Sequence, residues 1–212
     1  MRKLWIVWMG LGLAGAASAE EAKGSISGKV TSPGASQVVV YIEKVPKAVP
    51  RPVNDKPMTQ KNSAFMPEML VVTVGSSVSF PNEDKVFHNV FSVTPGNEFD
   101  LGLYRGGASK AVDFKEAGEV DVFCNIHPNM AAKLLVLQND FYVTVEKDGS
   151  FNLANVPPGA FTLVAWSAET TLEKVKIEIK PGANATASFT LKPLPGIKMH
   201  TNKNGEQYGR YK

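Results

Sequence analysis

The chain has 212 residues, with 23 Lys and Arg against 20 Asp and Glu, 43% hydrophobic residues and a single cysteine. One thiol excludes an intramolecular disulfide framework and the two-cysteine haem attachment motif. The slight basic excess shrinks further once Arg2 and Lys3 are assigned to a leader, so the charge gives no reason to expect nucleic acid or an anionic membrane surface as partner. About 190 residues beyond the leader suit one large domain or two small ones.

Arg2 and Lys3 precede an apolar run from Leu4 to about Ala17, and Ala17-Ser18-Ala19 offers small residues at the two positions that a signal peptidase reads. Residues 1–19 are therefore read as a cleaved signal peptide, which places the mature protein in the periplasm. The run is short of the ~20 residues of a spanning helix and is diluted by Gly10, Gly12 and Gly15. No later segment could span a membrane.

Beyond the leader, helical periodicity is almost absent and short β-type runs recur between turn signals. Ser25 to Val30 and Val38 to Val45 read as strands around Ser32-Pro33-Gly34, giving an opening block over 20–45. Pro46, Pro50, Pro52 and Pro57 mark an extended connector over 46–61. A second block, 62–138, holds strand-like runs at Met69 to Val74, Ser77 to Phe80, Val86 to Val93, Ala111 to Phe114, Glu119 to Phe123 and Lys133 to Leu137. A third, 139–192, holds runs at Phe141 to Glu146, Phe151 to Leu153, Ala160 to Ala165, Lys174 to Ile179 and Thr186 to Leu191, with Lys147-Asp148-Gly149 and Pro157-Pro158-Gly159 as turns. The tail, 193–212, is polar and without regular pattern. Short strands at this spacing predict an all-β chain built from sandwiches.

The lone cysteine sits in "VFCNIHPNM", residues 122–130. An exported free thiol is liable to oxidation or intermolecular pairing, and a metal would protect it. In Val120-Asp121-Val122-Phe123-Cys124 the period of two puts Cys124 on the inward face at the end of a strand. The loop that follows can return His127 and Met130 towards the sulfur, and His88 lies in another strand-like run, "KVFHNVFS". Taken singly, a buried cysteine or methionine is usually packing and a lone histidine is usually not a ligand. Together they gain weight, because two of the three histidines fall in this set and the third, His200, lies in the tail. A thiolate, two imidazoles and a weak axial thioether form the set that suits electron-transfer copper, with Cys124, His127, His88 and Met130 as ligands of one ion per chain. Asn89, next to His88, is expected to hydrogen-bond across to the strand of Cys124 and restrain the thiolate. Structural zinc sites use more cysteines or histidines.

"CNIHPNM" has the Cys-x-x-His-x-x-Met spacing of amicyanin-type cupredoxins, including the proline after the histidine, and "FHNVFS" resembles the Pro-His-Asn-Val segment of plastocyanin and amicyanin. Phe87 stands where those proteins commonly have proline. The stretch "LVVTVGSSVSFPNEDKVFHNVFS" is similar to the plastocyanin lead-in, so the resemblance covers roughly residues 64–137. It implies a Greek-key sandwich of eight strands with type 1 blue copper at one end, held by His88, Cys124, His127 and Met130. "GSISGKVTSPGASQVVVYIEKV", with "VEKDGSFNLANVPPGAFTLVAWS" far downstream, resembles the carboxypeptidase regulatory-like, or transthyretin-like, sandwich. The combination resembles exported proteins called methylamine-utilisation-like. The implied architecture is a cupredoxin inserted into, or followed by, a smaller transthyretin-like sandwich.

Two functions follow as expectations. One is a periplasmic one-electron carrier, not an enzyme, exchanging electrons with an unidentified redox partner protein. The alternative is a copper-binding or delivery module without electron-transfer turnover; Met66 and Met69 in "FMPEM" could serve it as extra soft donors, although their strand-like setting makes packing the better reading of both.

Overall fold

The computed structural model describes residues 22–46, 51–52, 56–194 and 200–208. The expected signal peptide, 1–19, lies outside the described residues. The chain is all-β, as its turn-punctuated short runs predict, and among the described residues no helix is long and apolar enough to cross a membrane.

The opening strand, Gly24–Thr31, does not pair with its sequence neighbour. It lies between Ser150–Val156, to which it is antiparallel, and Asn184–Thr190, to which it is parallel. The next strand, Val39–Ile42, is also central, set between Tyr142–Thr144 and Gly159–Trp166, with Glu173–Ile179 beyond. These two sheets enclose one core, in which Ile26, Val30, Val40 and Ile42 meet Phe151, Leu163 and Phe189. Gly28 shows how tightly the parallel neighbour is held. A Cβ there would fall 1.7 Å from the Ala187 carbonyl oxygen, so only glycine admits this approach.

Residues between these halves build a second pair of sheets. One has the order Met69–Thr73, Ala131–Leu137, Gly118–Cys124, Val90–Ser92, Phe99–Asp100; the other runs Ser109–Asp113, Ser77–Pro81, Lys56–Pro57. A hairpin, Thr59–Lys61 with Ala64–Met66, closes one edge. Phe80, Val90, Phe114, Val120 and Leu134 fill the interior. Alternation along Ser77–Pro81 is clean, yet Met69–Thr73 is buried at every position. The cause is a third apolar cluster, in which Met69, Val71, Leu135 and Leu137 pack on Val39 and Trp166, so this sheet is covered on both faces.

The connector expected over 46–61 is shorter in the structure. Lys56–Pro57 runs parallel to Ser77–Pro81, Met58 donates its N–H to the Ser79 carbonyl at 2.8 Å, and Met58 and Gln60 are fully buried. Proline at an edge strand loses no ladder bond, so a proline-rich composition concealed paired chain.

Candidate metal centre

The strand Gly118–Cys124 buries Val120, Val122 and Cys124 and turns Asp121 and Phe123 outward. The period of two therefore delivers the thiol to the interior at the strand's end. Cys124 pairs with Val90, which brings the segment carrying His88 alongside despite 36 residues of separation. His88 is itself pinned by a two-way backbone bridge to Tyr104: the His88 N–H donates to the Tyr104 carbonyl at 3.1 Å, and the Tyr104 N–H donates to the His88 carbonyl at 2.9 Å.

The loop after Cys124 folds back on itself. Met130 donates its N–H to the His127 carbonyl at 3.0 Å, Cys124 donates to the Met130 carbonyl at 3.1 Å, and Asn125 donates to the Asn89 carbonyl at 2.8 Å. These bonds set the donors in a small triangle. Cys124 Sγ lies 3.7 Å from His88 Nδ1 and 3.5 Å from His127 Nδ1, and the two nitrogens are 3.0 Å apart. Met130 is buried in the same apolar cluster as Cys124.

His88 is oriented from behind. Its Nε2 donates to an Asp84 carboxylate oxygen at 2.9 Å, which leaves Nδ1 as the atom facing the thiol. Asp84 also accepts from the backbone N–H groups of Asn62 at 2.6 Å and Ser63 at 2.9 Å, both at positive φ in the hairpin turn. Its own N–H is held by Asn82 Oδ1 at 2.9 Å. Gly106 lets a neighbouring loop touch this segment, since a Cβ there would stand 2.0 Å from the Asp84 carbonyl oxygen. Asp84 was not singled out in the sequence reading. Its place in Asn82-Glu83-Asp84, four residues before His88, was the available signal.

The electrostatics favour an ionised thiol. Burial opposes its charge, but the His88 imidazole and the backbone N–H groups of Asn89, Ile126 and His127 outweigh burial and hold Cys124 below the usual thiol range. Burial likewise pushes His88 down, while its bonds to Cys124 and Asp84 raise it above the ordinary value. Burial and the neighbouring His88 push His127 down, which favours its neutral imidazole.

Asn89 departs from the expectation. Its side chain donates to Asp100 Oδ1 at 2.6 Å rather than across to the cysteine strand, and its backbone N–H restrains the sulfur instead. The amide is needed elsewhere because Asp100 gathers Asn89, the Gly102 N–H and Lys203. Burial disfavours the Asp100 carboxylate, but Lys203, Asn89 and Gly102 lower it to about 2. Since this lies below the unfolded value near 3.8, Asp100 contributes stability that is complete above pH ~4 and lost as pH falls through about 2. In acid titrations followed by thermal unfolding, the wild type should lose more stability over that window than Asp100→Asn. Solvent screening at this part-exposed ion pair keeps the difference under about 1 kcal/mol.

Residues 200–208 of the tail, although without regular secondary structure, belong to this neighbourhood. His200 stacks on Phe123 with centroids 4.4 Å apart, and the Tyr208 hydroxyl donates to the Cys124 carbonyl at 2.7 Å. Met66 and Met69 stand apart from the triangle. Met66 is 52% exposed, and Met69 faces the cluster around Trp166 on the other side of the sheet.

His88, Cys124 and His127 fit one metal ion. Bonds of roughly 2.0–2.3 Å in a trigonal plane put donors about 3.5–4 Å apart, close to the observed 3.0 to 3.7 Å. Thiolate with two imidazoles suits copper or zinc, and oxygen-seeking Ca2+ or Mg2+ poorly.

A family model for the β-sandwich domain of ER membrane protein complex subunit 7 matches residues 125–201, and it replaces the carboxypeptidase regulatory-like module expected over 20–45 and 139–192. Among solved structures the chain is similar to a purple cupredoxin from Nitrosopumilus maritimus, at 22% identity and TM-score 0.35, over 39% of this chain and 99% of that one. It is similar to the copper-containing nitrite reductase of Thermus scotoductus SA-01, at 24% identity and TM-score 0.38, over 43% of this chain and 23% of the reductase. A reduced amicyanin variant matches at 27% identity and TM-score 0.36, over 46% of this chain and 97% of that one.

Proposed function

We propose that the protein is an exported, periplasmic one-electron carrier rather than an enzyme, holding one type 1 copper through His88, Cys124, His127 and an axial Met130. The observation that carries this reading is the triangle of one buried thiol and two imidazole Nδ1 atoms, all within 3.7 Å of one another. Copper bound there would supply a one-electron change between Cu(I) and Cu(II), in a donor geometry intermediate between the preferences of the two states. The chain's own contribution is rigidity. His88 is buried and anchored through Asp84, Cys124 is held by backbone N–H groups, and the loop is closed by its own hydrogen bonds. Of the three, only His127 is part-exposed, so its ring is the one a redox partner can touch. Delivery of copper without electron transfer would be favoured by labile, exposed ligands, whereas His88, Cys124 and Met130 are buried.

The deciding experiment is the absorption spectrum of the oxidised, copper-loaded protein, in which a thiolate in trigonal geometry gives an intense blue or green band. A colourless cupric protein overturns the reading. Met130 calls for its own test. Met130→Leu should retain copper and raise the reduction potential in voltammetry, because the lost thioether donated to the cupric state. An unchanged potential would remove Met130 from the site, and complete loss of copper would make it a primary ligand.

A further inference from the structure

We infer that residues 200–208 form a strap across the outside of the metal-binding strand and loop, with Tyr208 as a positioning residue for Cys124. The inference rests on the metal-centre reading for its functional meaning, and on a separate set of contacts for its geometry.

The strap begins with a stack. His200 lies nearly parallel to Phe123, the outward-facing neighbour of Cys124, with centroids 4.4 Å apart and planes 15° from parallel. Tyr208 stands edge-on to His200 at 5.2 Å and 83°, which aims its hydroxyl at the Cys124 carbonyl, 2.7 Å away. Between these two rings the chain makes a compact turn. Asn202 Oδ1 accepts from the N–H groups of Asn204 and Glu206 at 3.0 and 2.9 Å, and Gly205 at φ +81 completes the reversal. The turn presents Lys203 to the loop. Its backbone N–H donates to Asn125 Oδ1 at 2.9 Å, and its ammonium reaches Asp100 at 2.6 Å. Asp100 in turn holds Asn89, the neighbour of His88.

The strap thus grips Cys124, the first residue of the ligand loop, and the support beside His88. The bond from Tyr208 fixes the Cys124–Asn125 peptide plane, which sets the direction in which the loop leaves the strand and therefore where His127 arrives. Its loss should loosen the loop locally without unfolding either sandwich. A net hydrogen bond of ordinary strength corresponds to about a threefold to tenfold change in a rate or constant.

The test compares full-length wild type with Tyr208→Phe, which keeps the ring on His200 and removes only the hydroxyl, and with His200→Ala, which removes the stack on Phe123. Ile26→Val, in the other sandwich, serves as a control for a general loss of stability. Cu(I) transfer to bathocuproine should quicken about threefold to tenfold in Tyr208→Phe. Amide exchange over residues 125–130 should rise, and the visible band should shift in position while persisting. His200→Ala should change transfer in the same sense and keep the band, since His200 is not among the donors. Ile26→Val should leave band position and transfer unaltered. Equal transfer, exchange and band position in wild type and Tyr208→Phe would overturn the strap. If wild type itself shows no thiolate-to-copper band, the metal reading has failed, and exchange in the metal-free protein decides the strap alone: faster exchange at 125–130 in Tyr208→Phe supports it, and unchanged exchange overturns it.

Discussion

Cys124→Ser should abolish the visible band of the copper-loaded, oxidised protein, while His200→Ala retains it. The band requires a polarisable thiolate donating into cupric ion, and a serine oxygen is hard, remains protonated near neutrality and has no comparable low-energy donor orbital. The loss should be complete, because the described residues hold no second thiol and Cys124 is the chain's single cysteine. The fold should survive. The backbone N–H groups of Asn89, Ile126 and His127 that now face the sulfur can donate to a serine oxygen, which limits the cost of a buried hydroxyl to about 1–2 kcal/mol. Far-ultraviolet circular dichroism separates the two effects. Colour persisting in Cys124→Ser would assign the band to another chromophore, and a band lost in His200→Ala would make the tail imidazole a ligand.

How much of this site could be read from the sequence depended on how local each signal was. The alternation Val120, Val122, Cys124 is a property of five consecutive residues, and it correctly placed the thiol inward. The approach of His88 needed only that two strand-like runs be neighbours. Asp84 was harder, because its role depends on a hairpin turn at Asn62 and Ser63 whose backbone N–H groups hold the carboxylate in place behind His88. Asn89 illustrates a competition that sequence does not rank. Its amide could reach the cysteine strand or Asp100, and the carboxylate, already bound to Lys203, won. The tail was missed for a different reason. Its hold on the site comes from single aromatic and polar contacts at long sequence separation, although Asn204-Gly205 was a legible turn signal. Likewise, unbroken burial along Met69–Thr73 reflects packing on Trp166, nearly a hundred residues away, and no local period encodes it.

Removal of the opening strands should collapse the sandwich formed by residues 139–192. Gly24–Thr31 and Val39–Ile42 each lie at the centre of a sheet, not at an edge, so their loss exposes two unpaired edges in each sheet and splits the ladders. It also strips Ile26, Val30, Val38, Val40 and Ile42 from the interior. At about 1.5–3 kcal/mol for each fully buried side chain, the loss is on the order of 10 kcal/mol, comparable to the whole stability of a typical domain. Residues 139–192 expressed alone should therefore aggregate, whereas residues 20–45 joined by a short linker to 139–192 should be soluble and unfold cooperatively. The intervening segment should fold and bind copper by itself provided that it begins at Lys56, because Met58 belongs to its core and Lys56–Pro57 to its sheet. Separation exposes the apolar face of Met69, Val71, Leu135 and Leu137, so each piece should be less stable than the intact chain. The isolated copper-binding piece also lacks the tail, and its copper should transfer to a chelator faster than from the full-length protein. A well-folded 139–192 fragment would show that the early strands are dispensable there, and the nested arrangement of the two sandwiches would then not be what organises this chain.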